Sequence, residues 1–397
     1  MSKEQKKVSK KQSKEKNRAL LTLLFAFCSL LFGNSLWAFD VGLTLDQNAY
    51  YPGGEKNNAL AYKVMAIPRL SGLMGDIGEF YVSAGINYQN NPKSIIPELL
   101  RTELFWSQRG MELSLGRISY SDPLGFIASG LFDGERFSYH TDMGSFGFGA
   151  WYTGFLYKKR INIEMTGDDR KINDAVFDYN HFTDTYFAPR RILAAFDWEH
   201  QGLGERVYAR LSFLSQFDLT STDLNSQYII GKMIVPFKIF AINLGGCLEF
   251  IEENSENMDK AFAAELGTAW RTASHGFSFL ARYSSAKSAS TEDFLPVTTN
   301  AQGQIYAEKL SGRSMVSMNY TTRLHPTFTV SLTPSYFFLS NFRNKFLRGV
   351  EIFGACYWSP LPDISVNLGG GAFLPSLGNV GGKALWRVEL NLVLSLL

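Results

Sequence analysis

Residues 384–397 read ALWRVELNLVLSLL. Trp386, Val388, Leu390, Leu392, Leu394 and Leu396 fall on one side of a period-2 pattern. Arg387, Glu389, Asn391 and Ser395 fall on the other, with Val393 among them. That alternation marks a strand with one apolar and one mostly polar face. If the sheet closes on itself, this strand pairs with the first one.

The same pattern recurs along the chain. Phe80, Val82, Ala84, Ile86 and Tyr88 form one apolar face, and Val207, Ala209, Leu211 and Phe213 another. Phe262, Ala264, Leu266 and Trp270, then Phe277, Phe279, Ala281 and Tyr283, continue it. About 18 such segments can be placed between residues 39 and 397, with 16 as the alternative count. The composition agrees: 14% aromatic, 19% charged, 35 Gly and a hydrophobic fraction of 45%. Mean hydropathy is −0.08, which excludes a bundle of membrane helices.

Charged residues sit in mid-strand on the faces opposite the apolar ones. Arg101 and Glu103 alternate with Leu100, Thr102 and Leu104. Glu112, Arg210, Lys232, Glu249, Glu265, Arg271, Arg282, Glu351, Arg387 and Glu389 share that polar phase. Periodicity alone fits a soluble sandwich with its charges outward, or a membrane barrel with its charges lining a wet interior. The connections separate the two readings. Long ones fall near 48–59, 89–97, 119–131, 159–189, 218–226, 251–257, 287–311, 339–344 and 375–382. Short ones fall near 71–77, 109–110, 142–143, 201–204, 237, 272–274, 323–325 and 360–361. Long loops at one end and tight turns at the other describe an outer-membrane barrel. Trp106, Trp198, Trp270 and Trp358 each precede a short turn in the apolar phase, as an interfacial girdle requires.

Residues 1–38 have the three-part layout of a secretory signal. Met1–Arg18 holds eight Lys and Arg against two Glu, and 19–32 is a 14-residue, mostly apolar run. Ala38 offers a small residue before a cut at Phe39, and Ser35 a second choice before Leu36. Without this leader 31 basic side chains face 35 acidic ones, a net charge of −4, so no nucleic-acid partner is expected.

With the leader, the alternating strands and the loop asymmetry together, residues 39–397 resemble an outer-membrane β-barrel protein. A local stretch is similar to large porins: Leu115-Gly116-Arg117-Ile118, then Asp122-Pro123, Gly125, Gly130 and Asp133-Gly134. In that family a Gly-Arg strand end leads into a loop near the pore. Loop 119–131 and its flank, with Arg117, Asp122, Asp133 and Glu135, are therefore the expected constriction. The apolar phase of the last strand ends at Leu396, not at an aromatic final residue, which departs from many such families.

The expected fold is all-β: a single closed antiparallel transmembrane β-barrel with long extracellular loops and short periplasmic turns. A barrel of this size leaves an aqueous channel. The expected function is porin-like passive diffusion of small polar solutes, in the outer membrane of a diderm bacterium. The expected partners are outer-membrane lipid, the barrel-assembly machinery and the solutes themselves; a homo-oligomer is compatible. Six acids and six bases in the lumen phase, with the acids of the constriction loop, imply at most a weak cation preference. Two alternatives stand beside this reading. One is an adhesin or ligand-binding barrel using loops 159–189 and 287–311; the other is a hydrophobic-substrate transporter with a plug or a lateral opening.

No catalytic residue, metal or cofactor is expected. The five His show no in-phase Ser or Asp partner, and GxSxG is absent. Asp168, Asp169 and Asp174 lack the spacing of a calcium loop. Cys247 and Cys356 differ in phase and predict no disulfide. Tyr179, Phe182, Tyr186 and Phe187 would pack loop 159–189 over the barrel mouth or hold a ligand.

Overall fold

The computed structural model describes residues 39–397 apart from 55–57, 205, 221–222, 254–256, 308, 342–346, 377–381 and 397. The leader and Leu397 thus lie outside the described residues. The strands are β1 (Phe39–Gly53), β2 (Ala61–Met74), β3 (Gly78–Asn90), β4 (Lys93–Gln108), β5 (Met111–Ser121) and β6 (Ser129–Thr141). They continue as β7 (Gly144–Tyr152), β8 (Arg191–Leu203), β9 (Val207–Asp218), β10 (Leu224–Pro236), β11 (Phe240–Glu253) and β12 (Asn257–Arg271). The last six are β13 (His275–Ser284), β14 (Arg313–His325), β15 (Phe328–Leu339), β16 (Leu347–Leu361), β17 (Ile364–Pro375) and β18 (Leu385–Leu396).

Each strand pairs antiparallel with its neighbours in the chain, and β18 returns to β1 from Leu43↔Leu396 to Gly53↔Trp386. The 18-stranded sheet is a closed barrel. Closure satisfies backbone groups that an open sheet in lipid would leave bare. The apolar phase points outward: Leu211, Phe213, Leu248, Leu266, Leu332, Ile352 and Leu390 are all exposed. The four expected Trp lie on this outer phase near the short turns, and Trp198 Nε1 donates to Met143 O at 3.1 Å. At the opposite rim Tyr51 packs on Trp386 and Tyr62 on Tyr88, with centroids 5.6 Å apart in both pairs. Two aromatic belts therefore bound the apolar band.

The connections at the long-loop rim are named L1 to L9 in chain order. L2 does not follow the expectation for 89–97. Asn90 pairs with Lys93, so L2 is a two-residue turn at Asn91-Pro92 and β4 starts early. A second departure lies inside β4. Val82 pairs with Thr102 but Ala84 with Leu99, so one extra β4 residue opposes Ser83. This bulge turns Leu100 inward beside Arg101, and Leu100 is buried although the alternation placed it outside.

Candidate permeation site

Three long connections leave the rim and fill part of the lumen. The first is L3, at the tip of the β5–β6 hairpin. β5 pairs with β4 only as far as Thr102↔Arg117, and β6 with β7 only as far as Asp133↔Tyr152. The two stay paired to each other up to Ser121↔Ser129. The hairpin tip thus peels off the wall and enters the barrel. Its apolar side chains make the turn favourable: Ile118, Tyr120, Leu124, Phe126, Ile127 and Phe132 are all buried. Tyr120 packs on Trp151 with centroids 4.3 Å apart. The Asp122 carboxylate organises the tip by accepting backbone N–H from Leu124, Gly125, Ile127 and Ala128 at 2.8–2.9 Å. Leu124 then reaches the wall at β11. A Cβ on Gly245 would lie 2.3 Å from Leu124 Cδ2, so a larger residue there would push the Leu124 side chain off the wall.

L4 contains α1 (Lys158–Ile161), α2 (Gly167–Asp174) and α3 (Phe182–Tyr186). Thr166 and Asp169 form a capping box at the start of α2. Asp169 also pairs with Arg191 at 2.7 Å, and Asp218 of β9 approaches the same guanidinium at 3.4 Å. All three side chains are at most 1% exposed. Asp168 pairs with Lys171 on the surface. At the far end of α2, Lys158 Nζ donates to Ile172 O and Ala175 O, each at 2.7 Å. Burial pushes that ammonium down to about 8, with Lys159 adding to the shift.

L4 also seals the seam the hairpin leaves behind. On its β5 side β4 has no ladder partner before Thr102. Its carbonyls at Ile95, Pro97 and Leu99 accept instead from the Tyr179 hydroxyl, the Tyr186 hydroxyl and Arg117 Nη1. Phe177, Phe182, Tyr186 and Phe187 pack with Tyr157 and Ile96 over this edge. Tyr179 and Tyr186 thus complete the backbone pairing of this edge, and Phe182 and Phe187 pack behind them.

L7 (residues 285–312) is pinned to the opposite wall. Glu249 accepts Leu295 N at 2.8 Å while the Tyr228 hydroxyl donates to Leu295 O at 2.6 Å. Glu351 accepts the N–H groups of Gln304, Ile305 and Tyr306 at 2.8, 3.0 and 2.8 Å. Tyr306 stacks on Phe373 with centroids 4.0 Å apart. L7 also stitches the other two loops together. Thr298 N donates to Ile127 O of L3, and Thr299 N donates to Asn162 O of L4. L3, L4 and L7 with the inner faces of β8–β12 make one buried apolar cluster inside the barrel.

The sequence-derived lumen residues divide accordingly. Arg101 pairs with Glu103, Lys232 and Arg282 both reach Glu265 at 3.4 and 2.8 Å, and Arg387 pairs with Glu389 at 2.9 Å. Arg282 also stands over the Phe126 ring at 4.6 Å. Arg210 donates to Ser121 O and lies 3.7 Å from Glu199. Glu112 faces His140 at 3.3 Å near the short turns, and Arg271 is exposed at the end of β12. Glu249 and Glu351 are in the lumen phase but nearly buried, holding L7 rather than lining water.

The expected constriction residues split more sharply. Asp122 is inside the lumen, buried at the hairpin tip. Arg117 and Asp133 follow the outer phase of Leu113 and Leu115, not the lumen phase. They form a two-bond ion pair at 2.7 and 2.8 Å where the hairpin leaves the wall, under Phe155 O. Glu135 is exposed on the same outer phase, opposite Leu115 and beside Phe137. Alternation from Phe137 and Tyr139 carries this signal for Glu135. Arg160, Glu98, Arg191 and Asp218 escaped the sequence reading because each pairs with a distant loop or strand residue.

Comparison with known proteins places this fold. No family model matches the chain, and no curated protein matches it. Among solved structures it is similar to OccK11 (OpdR) of Pseudomonas aeruginosa, with a TM-score of 0.63, 9% identity, and 90% and 96% of the two chains covered. OccK2 (OpdF) of the same organism, in complex with glucuronate, gives 0.62, 11%, 90% and 98%. OpdK of that organism with vanillate gives 0.61, 9%, 90% and 98%.

Proposed function

We propose that this chain is an outer-membrane channel for passive diffusion of small polar solutes, in a diderm bacterium. The carrying observation is a closed 18-stranded barrel with an apolar outer face and ion-paired walls around a partly filled lumen. The similar solved structures support it, and two of them hold the carboxylates glucuronate and vanillate. Residues 1–38 serve as the signal that delivers the chain across the inner membrane, and the barrel-assembly machinery inserts it. A homo-oligomer remains compatible with this reading. L4 covers the seam beside β4, which disfavours a lateral route for apolar cargo.

The direction of charge preference follows from how the pairs are presented. Side-chain exposure is 47% for Arg101 against 11% for Glu103, 37% for Arg160 against 2% for Glu98, and 20% for Arg282 against 4% for Glu265. For Arg387 and Glu389 it is 26% and 17%. In these four pairs the cation is the more exposed partner, whereas in Arg210–Glu199 the order is reversed, 21% against 30%. Glu249 and Glu351 are occupied by backbone N–H groups, and Glu135 points outward. A weak anion preference therefore replaces the weak cation preference read from charge counts. Screening over about 8–10 Å at physiological salt keeps it weak. Reversal potentials of the refolded chain in planar bilayers under a KCl gradient test both parts. Cation selectivity refutes the charge reading, and absence of any conductance refutes the channel.

A further inference from the structure

At the short-turn end of the lumen, β5 to β9 line a cavity of about 250 Å³. Three of its side chains form a hydrogen-bonded chain. His140 of β6 meets Glu112 of β5 through Nε2, at 3.3 Å, and Ser145 of β7 through Nδ1, at 2.7 Å. The ladder brings them together: Glu112 pairs with Ser138, two residues before His140, and His140 pairs with Ser145. The serine stands on the next strand, so strands read one at a time give the histidine no such partner. The carboxylate fixes the tautomer. Nε2–H donates to Glu112, which leaves the Nδ1 lone pair to accept the Ser145 hydroxyl. The His140 side chain is 44% exposed and that of Glu112 39%, so solutes in the lumen reach both. Gly147, two residues after Ser145 on the same face, adds no side chain, and a Cβ there would lie 3.3 Å from Arg136 Nη2. The Arg136 guanidinium therefore borders the open space next to the serine. The other carboxylates of the cavity have cations of their own: Asp197 lies 3.6 Å from Arg136, and Glu199 3.7 Å from Arg210. This balance suits an uncharged substrate.

We propose that Ser145 and His140 form a hydrolytic site for small uncharged esters. Ser145 Oγ bonds to the ester carbonyl carbon as its proton passes to His140 Nδ1. Arg136 faces the oxygen on which negative charge develops. The carbon–oxygen bond to the alcohol then breaks, and the alcohol leaves with that proton. Water, deprotonated by His140, displaces the acyl group from Ser145 and releases the acid. Glu112 is a positioning residue that acts through the imidazole. This activity goes beyond the channel reading and does not depend on conductance.

The test is hydrolysis of p-nitrophenyl acetate by the refolded, detergent-solubilised chain, with mass-spectrometric mapping of the adduct left by a fluorophosphonate. Wild type turns over the ester and carries the phosphonyl group on Ser145. Ser145→Ala and His140→Ala each lower kcat about a hundredfold, the scale of a lost general base. Glu112→Ala lowers kcat with little change in KM, and Glu112→Asp restores part of the rate. Ser138→Ala, which removes another hydroxyl of the same cavity, keeps the wild-type rate. Heat-modifiable gel migration verifies that each variant is folded, and the wild-type adduct still decides the matter if Ser145→Ala does not fold. Unchanged hydrolysis in Ser145→Ala overturns the site, as does a wild type with no adduct on Ser145. An adduct without turnover of the ester overturns the hydrolytic assignment.

Discussion

Glu351→Ala isolates what holds L7 inside the barrel. The carboxylate accepts three backbone N–H groups, from Gln304, Ile305 and Tyr306, at 2.8–3.0 Å. Bonds to a charged acceptor contribute roughly 1.5–3 kcal/mol each, and three on one carboxylate are not additive. About 4 kcal/mol is a working figure for their joint loss. The cost falls on the docked state of L7 alone, because the β15–β16–β17 ladders around Glu351 use backbone groups. At about 1.4 kcal/mol per tenfold, the docked-to-undocked ratio falls by nearly a thousand. Undocking also separates Tyr306 from Phe373 and Phe337. Single-channel recordings of the variant should show larger and noisier currents, with a melting transition close to wild type. Glu351→Gln, which keeps one acceptor oxygen, should lie between the two. Wild-type amplitude and noise in a folded Glu351→Ala barrel would refute the assignment of Glu351 as the L7 anchor.

Arg191→Met strands Asp169 and Asp218 without their buried cation and should destabilise the L4-docked barrel by about 3–5 kcal/mol, read by urea titration and by faster proteolysis within L4. On the outer phase, Leu211→Arg or Ala264→Arg should cost roughly 2–4 kcal/mol in lipid vesicles if near the midplane, whereas Arg210→Leu should cost far less. Equal tolerance at these neighbouring positions would reverse the inside and outside of the wall. Glu135→Leu removes a carboxylate from the apolar face and should raise stability by about 1 kcal/mol; a loss of stability would mean that Glu135 is held by a partner on that face.

The wall was legible because a strand between lipid and water must alternate, and Phe80 to Tyr88 or Trp386 to Leu396 can do so on their own. The Asn91-Pro92 turn was misread because Asn and Pro also punctuate long loops, and only the register of Asn90 with Lys93 shows how short it is. The inward hairpin was not legible in the alternation. Ile118, Tyr120 and Phe132 are apolar in either setting, and what turns them inward is packing on Trp151 and the wall beyond. Glu249 and Glu351 were assigned to the correct face but not to their task. Their partners are backbone groups of L7, 45 to 47 residues away in sequence, and a main-chain N–H leaves no mark in residue identity.

The seam beside β4 has a consequence for the order in which the barrel assembles. Hairpin neighbours elsewhere in the wall are joined by turns as short as two residues, and such local pairs form within microseconds. The upper half of β4 has no such neighbour on its β5 side. Its carbonyls at Ile95 and Pro97 wait for tyrosines 84 and 89 residues further along the chain. That closure requires β5 to β7 to be in place and L4 to have folded against them. Loop-closure entropy and the length of intervening chain make it late. Until then the nascent barrel carries a bare strand edge on this side, the natural place for a holding factor to grip it.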